Sequence, residues 1–171
     1  MALAYFITFT TYGTWLHGSE KGSVDAAHNT YGEPFLPPDA KRRKKARSEM
    51  KQPPYYLGEK ERQIVCDAIV SLAEERGWQL LAVHVRTYHV HVVVSYPEGD
   101  PGRMMSDMKA RASRDLNSAG FDDATRKRWT RHGSTRHLFR EDQVPAAVHY
   151  TLDEQGDRMA WWSADQEPRT Q

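Results

Sequence analysis

Apolar and polar positions change period several times along the chain, and each change marks an element. Tyr5 to Tyr12 is a run of Phe, Ile and Thr with high strand propensity, closed by Gly13. From Gly18 to about Leu57 the period is lost. Gly, Pro, Asn and Asp recur there, and Pro37-Pro38 and Pro53-Pro54 break any helix, so the pattern predicts a long loop or insertion. Helical spacing returns with Ile64, Val65, Cys66, Ala68, Ile69 and Leu72, which predicts a helix from about Glu59 to Arg76 capped by Gly77. Trp78 to Val85 and Val90 to Tyr96 read as strands joined tightly through Arg86-Thr87-Tyr88. A second helix is expected from about Gly102 to Ala119, with Met105, Met108, Ala112 and Leu116 inward and Gly120 ending it. Ser134 to Phe139 reads as a short edge strand. Glu141 and Asp142 then open a third helix, where acidic groups suit the positive end of the helix dipole. Its buried stripe is Val144, Ala147, Val148, Thr151 and Leu152, and Gly156 stops it after about Gln155.

The order strand, helix, strand, strand, helix, strand, helix predicts an α+β fold. It is the β-α-β-β-α-β, ferredoxin-like antiparallel sheet with one extra, C-terminal helix. A length of 171 residues suits one domain with a real core. That domain is expected over residues 1–160, with 161–171 as a polar tail apart from Trp161-Trp162. No stretch approaches the roughly 20 apolar residues that span a bilayer, and no basic leader precedes an apolar run at the start. Cys66 is the single cysteine, which excludes an intramolecular disulfide and suits a reducing cytoplasm.

Charge changes the picture through its distribution. The net charge of +1 argues against a uniformly basic coat. Yet half of the 24 Lys and Arg fall in two short segments. One is Lys41, Arg42, Arg43, Lys44, Lys45 and Arg47; the other is Arg126, Lys127, Arg128, Arg131, Arg136 and Arg140. Such clusters are the local footprint of phosphate binding, although a solvated surface explains either one equally well.

Chemistry concentrates in two places. In a strand, residues two apart face the same way, so His89 and His91 project side by side while Val90 and Val92 face the core. Two such imidazoles are half of a metal site, although an accidental His-apolar-His is common in a chain with eight histidines. On the third helix, Tyr150 lies at the border of the buried stripe with Glu154 one turn later. A tyrosine there usually just rims the core. Two histidines and a carboxylate could hold a divalent ion with positions open for a phosphate, and a metal on that phosphate would help a phenol of pKa about 10 to attack it. His84, in a strand, reads as a satisfied core residue.

Four motifs in this order carry a resemblance. They are Ile7-Thr8-Phe9-Thr10-Thr11-Tyr12-Gly13-Thr14-Trp15-Leu16, Val85-Arg86-Thr87-Tyr88-His89-Val90-His91-Val92-Val93-Val94, Trp129-Thr130-Arg131-His132-Gly133-Ser134-Thr135-Arg136, and Tyr150-Thr151-Leu152-Asp153-Glu154-Gln155-Gly156. Through them the chain resembles the single-tyrosine HUH transposases, which include small insertion-sequence transposases and REP-associated tyrosine transposases. The resemblance implies a Mg- or Mn-dependent enzyme that cuts and rejoins single-stranded or hairpin DNA through a 5′-phosphotyrosine, usually as a homodimer. Carried over by position, Tyr150 is the nucleophile, His89 and His91 are metal ligands, and Glu154 stands where such proteins often have Gln or Asn as third ligand. Tyr88 departs from the usual Asn, and the stretch 18–57 is long for the family. Lys109, Arg111, Arg114, Arg128, Arg131 and Arg136 are the candidate DNA contacts, which would keep a cytoplasmic protein on the nucleoid.

Three other readings compete. A domesticated DNA-binding protein would keep the same site without moving DNA. A non-catalytic RNA-binding module of the same fold would stack bases on Tyr5, Phe9 and Tyr88. A two-histidine, one-carboxylate iron enzyme would call for a jelly roll of many short strands.

Overall fold

The computed structural model of the chain describes residues 1–14 and 40–166. Their elements are β1 (Ala4–Thr10), α1 (Ala40–Ser48), α2 (Glu59–Arg76), β2 (Gln79–Val85), β3 (His89–Ser95), α3 (Pro101–Ser118), β4 (Ser134–Leu138), α4 (Gln143–Asp153) and β5 (Ala160–Ser163). The strands form one sheet in the order β4-β1-β3-β2-β5, and every pairing is antiparallel. Without β5 this is the ferredoxin-like arrangement that the order of elements predicts.

Both faces of the sheet are covered, one by α2 and α3 and the other by α4. Alternation along β1 and β3 sends Tyr5, Ile7, Phe9, Val90, Val92 and Val94 into the larger core beneath α2 and α3. It sends Phe6 and Val93 to the other face, where Ala147 and Leu152 of α4 close a smaller core with Ala4, Ala82 and Leu138. The two cores share a sheet and differ in size. His89 and His91 stand on the α4 side.

Two expectations are corrected. The segment 18–57 is not all loop, because residues 40–48 form α1. That helix has no buried residue, so no apolar period announces it. Beyond it, Tyr55 and Leu57 belong to the main core. Residues 18–39 of that segment, with His28, and His17 just before it lie outside the described residues. The expected tail also begins later, since Ala82 to Val85 of β2 pair with Ala160 to Ser163 and make β5 a second edge strand. Residues 167–171 lie outside the described residues. No described helix is long and apolar enough to cross a membrane.

One buried polar side chain ties α4 to the sheet. His84 of β2 is fully buried. Its Nδ1–H donates to the Thr151 carbonyl over 2.8 Å, and its Nε2 accepts from the Met159 N–H over 3.0 Å. The two backbone partners fix the tautomer, and burial pushes the imidazole pKa below its usual value. His84→Ala would leave a carbonyl and an N–H unpaired around a cavity. The expected loss is about 2–4 kcal/mol of unfolding free energy in urea titrations.

Candidate active site

Cross-strand partners share a face of the sheet. On the α4 side one row runs Ser134, Thr8, His91, His84 and Trp161 across all five strands. The neighbouring row places Arg136 beside Phe6 and Phe6 beside Val93, and on the other side Thr10 stands beside His89. The close passage of β4 past β1 needs Gly133, because a Cβ there would come within 2.5 Å of the Thr8 carbonyl oxygen.

The two imidazoles meet with ring centroids 4.9 Å apart. His91 is 6% exposed and lies between β1 and α4. Its ring stacks on Phe6 at 5.8 Å and meets the Tyr150 ring edge-on at 5.9 Å. Tyr150 also meets Phe6 edge-on at 5.8 Å and stays 36% exposed. The structure therefore brings His89, His91 and Tyr150 together from β3 and α4. The tyrosine is placed there because Ala147, Thr151 and Leu152 bury the adjacent stripe of α4, and because His84 holds the carbonyl of the next residue.

His91 Nδ1 and the Thr8 hydroxyl are 3.0 Å apart. Burial, then the neighbouring His89 and His84, push its pKa well below the usual imidazole value, so it is neutral. When Nδ1–H donates to Thr8, Nε2 keeps its lone pair, the state a metal requires. That Nε2 is buried and has no hydrogen-bond partner among the described residues. Two imidazoles side by side, His91 neutral and with its Nε2 lone pair free of hydrogen bonds among the described residues, fit a divalent cation as donors.

Glu154 does not join them. Among the described residues no three side chains drawn from His, Cys, Asp and Glu gather into a metal-holding cluster. α4 ends at Asp153, and Glu154 has already left helical geometry at φ −106° and ψ 11°. The one-turn spacing from Tyr150 therefore no longer sets its direction, and its carboxylate lies 3.4 Å from His149 Nε2 on the exposed side. Gln155 comes up to His91 instead. Its carboxamide raises the His91 pKa, against the larger lowering by burial. It also donates to the Tyr150 carbonyl at 3.4 Å. Gly156 follows at φ +87°, in the left-handed region that glycine favours. The motif Gln155-Gly156 was the available signal, and helical spacing pointed one residue too early. Gln155→Ala should weaken Mn binding about tenfold or more, the scale of a lost ligand contact, and Glu154→Ala should leave it unchanged by calorimetric titration.

The basic candidates scatter. Lys109, Arg111 and Arg114 sit on α3, across the sheet from the histidines. Lys109 donates to the Thr130 and His132 carbonyls at 2.8 and 3.1 Å, and burial lowers its pKa to about 8. Arg111 pairs with Glu75 of α2 at 2.8 Å and with Asp115 at 3.2 Å. Arg114 is exposed beside Asp115. Arg128, 3% exposed, donates to the carbonyls of Phe121 and Ser113 and lies over the Tyr55 ring, so it braces the core instead of meeting solvent. Arg131 is exposed in the loop before β4. Of the six, Arg136 is the one that shares the face of the histidine pair. Tyr5 and Phe9 are buried under α2 and α3 and offer no base-stacking surface. The helix-covered sheet likewise excludes the jelly roll.

A family model described as "Transposase IS200 like" matches residues 49–140. The chain belongs to the IS200-like transposase family. The match covers β2 and β3, and so His89 and His91, and ends before α4 and Tyr150. Among solved structures, a REP-associated tyrosine transposase bound to a REP hairpin is similar at 12% identity and a TM-score of 0.48. The likeness covers 89% of this chain and 66% of that one, so the transposase spans just under two thirds of that structure's length. No curated protein matches.

Proposed function

We propose that this transposase cuts and rejoins single-stranded DNA, presented at a hairpin, through a covalent ester between Tyr150 and a 5′-phosphate. The observation that carries the reading is the edge-to-face approach of Tyr150 to His91, with His89 alongside. The partly exposed phenol is open to a strand, and His91 beneath it is held neutral. His89, His91 and Gln155 would hold Mg or Mn, which supplies charge neutralisation and polarisation at the scissile phosphate.

In the first step Tyr150 Oη forms a bond to phosphorus and the P–O3′ bond breaks. The phenolic proton leaves to solvent, and the released 3′ oxygen takes up a proton. Rejoining runs backwards: a 3′-hydroxyl attacks the phosphotyrosine, and the phenol is restored. The ester conserves the bond energy, so no nucleotide triphosphate is consumed. Phe6 and Thr8 orient His91, His84 orients α4, and Arg136 on the same face supplies a cation for a neighbouring phosphate.

The test is cleavage of labelled single-stranded hairpins from the flanks of the protein's own locus, with Mn or Mg, on denaturing gels. A covalent protein–DNA band that depends on metal supports the reading. Tight hairpin binding with no covalent species in either metal would replace it with a binding protein that has kept the site but lost the reaction.

A further inference from the structure

Helix α1 contributes nothing to the core: none of its residues is buried, and its sequence is Ala-Lys-Arg-Arg-Lys-Lys-Ala-Arg-Ser. It carries six cations and no anion. Taking those six charges from a chain of net charge +1 leaves the rest of the molecule at −5. A polyanion therefore meets a body that repels it overall, apart from this helix and the short basic patches.

The helix is also poorly stabilised by itself. At nine residues it is shorter than the roughly 12–15 that an isolated helix needs in water. Lys41 and Lys45, and Arg43 and Arg47, are like charges one turn apart, which oppose helix formation.

Its root is fixed at the end of the sheet where β3 begins. The Lys51 N–H donates to Tyr12 Oη at 3.0 Å, and the Gln52 carboxamide binds the Thr125 carbonyl at 2.9 Å and the Lys127 N–H at 2.8 Å. The chain then meets the connection before β3, where the Leu57 N–H donates to the Thr87 carbonyl at 2.7 Å and the Thr11 N–H to the Tyr88 carbonyl at 2.8 Å. The next residue is His89. The helix thus starts from the His89 end of the sheet, with Lys127 over the Tyr12 ring at its base.

We propose that α1 is a phosphate-backbone grip for the single-stranded DNA segment that leaves the active site, sequence-independent and completed as a helix by the DNA it binds. The inference rests on the DNA-processing reading above. Phosphates between successive basic side chains would remove the like-charge repulsion, so binding and helix formation reinforce each other.

Charge-neutral substitution of Lys41, Arg42, Arg43, Lys44, Lys45 and Arg47 by Gln keeps helix propensity and touches no active-site residue. Affinity of the full chain for labelled oligo(dT) is measured from about 50 to 200 mM salt. One side of the helix presents about half of its cations. Three phosphate contacts correspond to a salt slope lower by about 2 and an affinity loss of about 10²-fold near 0.1 M salt. The variant should stay folded, with a cooperative thermal transition, because no buried surface is altered. A second variant with Arg42, Arg43 and Arg47 changed to Lys should keep the wild-type slope. Unchanged slope and affinity in the Gln variant would overturn the grip and leave the Tyr150 chemistry standing. Failure of the wild-type chain to bind any DNA strand would overturn both.

Discussion

Tyr150→Phe is expected to abolish the covalent protein–DNA band and to lower hairpin cleavage by at least about 10³-fold, because it removes the one atom that becomes bonded to phosphorus. The substitution keeps the ring, and with it the edge-on contacts to Phe6 and His91. Stability should stay within about 0.5 kcal/mol of the wild type, as for other partly exposed positions. Hairpin affinity should also be preserved, since the phenyl ring still presents the same shape. Loss of reaction with retained binding is therefore the signature of a nucleophile. A parallel loss of binding would instead make Tyr150 a contact residue.

His91→Ala has the second largest expected effect, and it differs in kind. The imidazole is buried between Phe6 and Thr8, so its removal leaves a cavity and an unpaired hydroxyl, at about 1–3 kcal/mol of stability. Beyond that structural cost, on the proposed mechanism loss of a ligand would remove the polarisation of the phosphate. Lewis-acid stabilisation amounts to several kcal/mol, so cleavage should fall by about 10²-fold or more in Mn or Mg. Titration of Mn by electron paramagnetic resonance separates the two effects: the folded variant should no longer deplete the free-ion signal. Full Mn uptake by the variant would remove His91 from the ligand set.

Much of the fold is legible from period alone. The apolar spacing of α2 and its Gly77 cap give Glu59 and Arg76 as its ends, and the alternation of β3 puts its two histidines on one face and Val90, Val92 and Val94 on the other. What escapes is whatever depends on a remote partner. α1 has no apolar period to detect, because it buries nothing. β5 is four residues long and acquires its identity from the open edge of β2. Arg128 looks like any member of a basic run until the carbonyls of Ser113 and Phe121 and the ring of Tyr55 surround it. Arg111 looks solvated until Glu75 of the neighbouring helix faces it.

The site divides in the same way. His89, His91 and Tyr150 are legible as residue types at particular places in a strand and a helix, and their meeting follows from the ferredoxin-like path of the chain. The supporting residues are legible only in part. His84 reads as a satisfied core residue, as it is, but Thr8 and Phe6 carry no local signal, and only the register of β1, β2 and β3 brings all three alongside the pair. Glu154 illustrates the limit of helical spacing, which holds only while the backbone stays helical. One residue past the end of α4, Glu154 turns to His149 on the exposed side.

The most direct test is to locate the bond itself. The wild-type chain is incubated with a hairpin substrate and Mn, the adduct is digested, and the peptides are sequenced by mass spectrometry. The expected result is a nucleotide joined through its 5′-phosphate to Tyr150, with a free 3′-hydroxyl on the other fragment. An adduct on another residue would reassign the nucleophile. Cleaved DNA with no attached peptide would mean that water, and not Tyr150, attacks the phosphate, and would contradict the account.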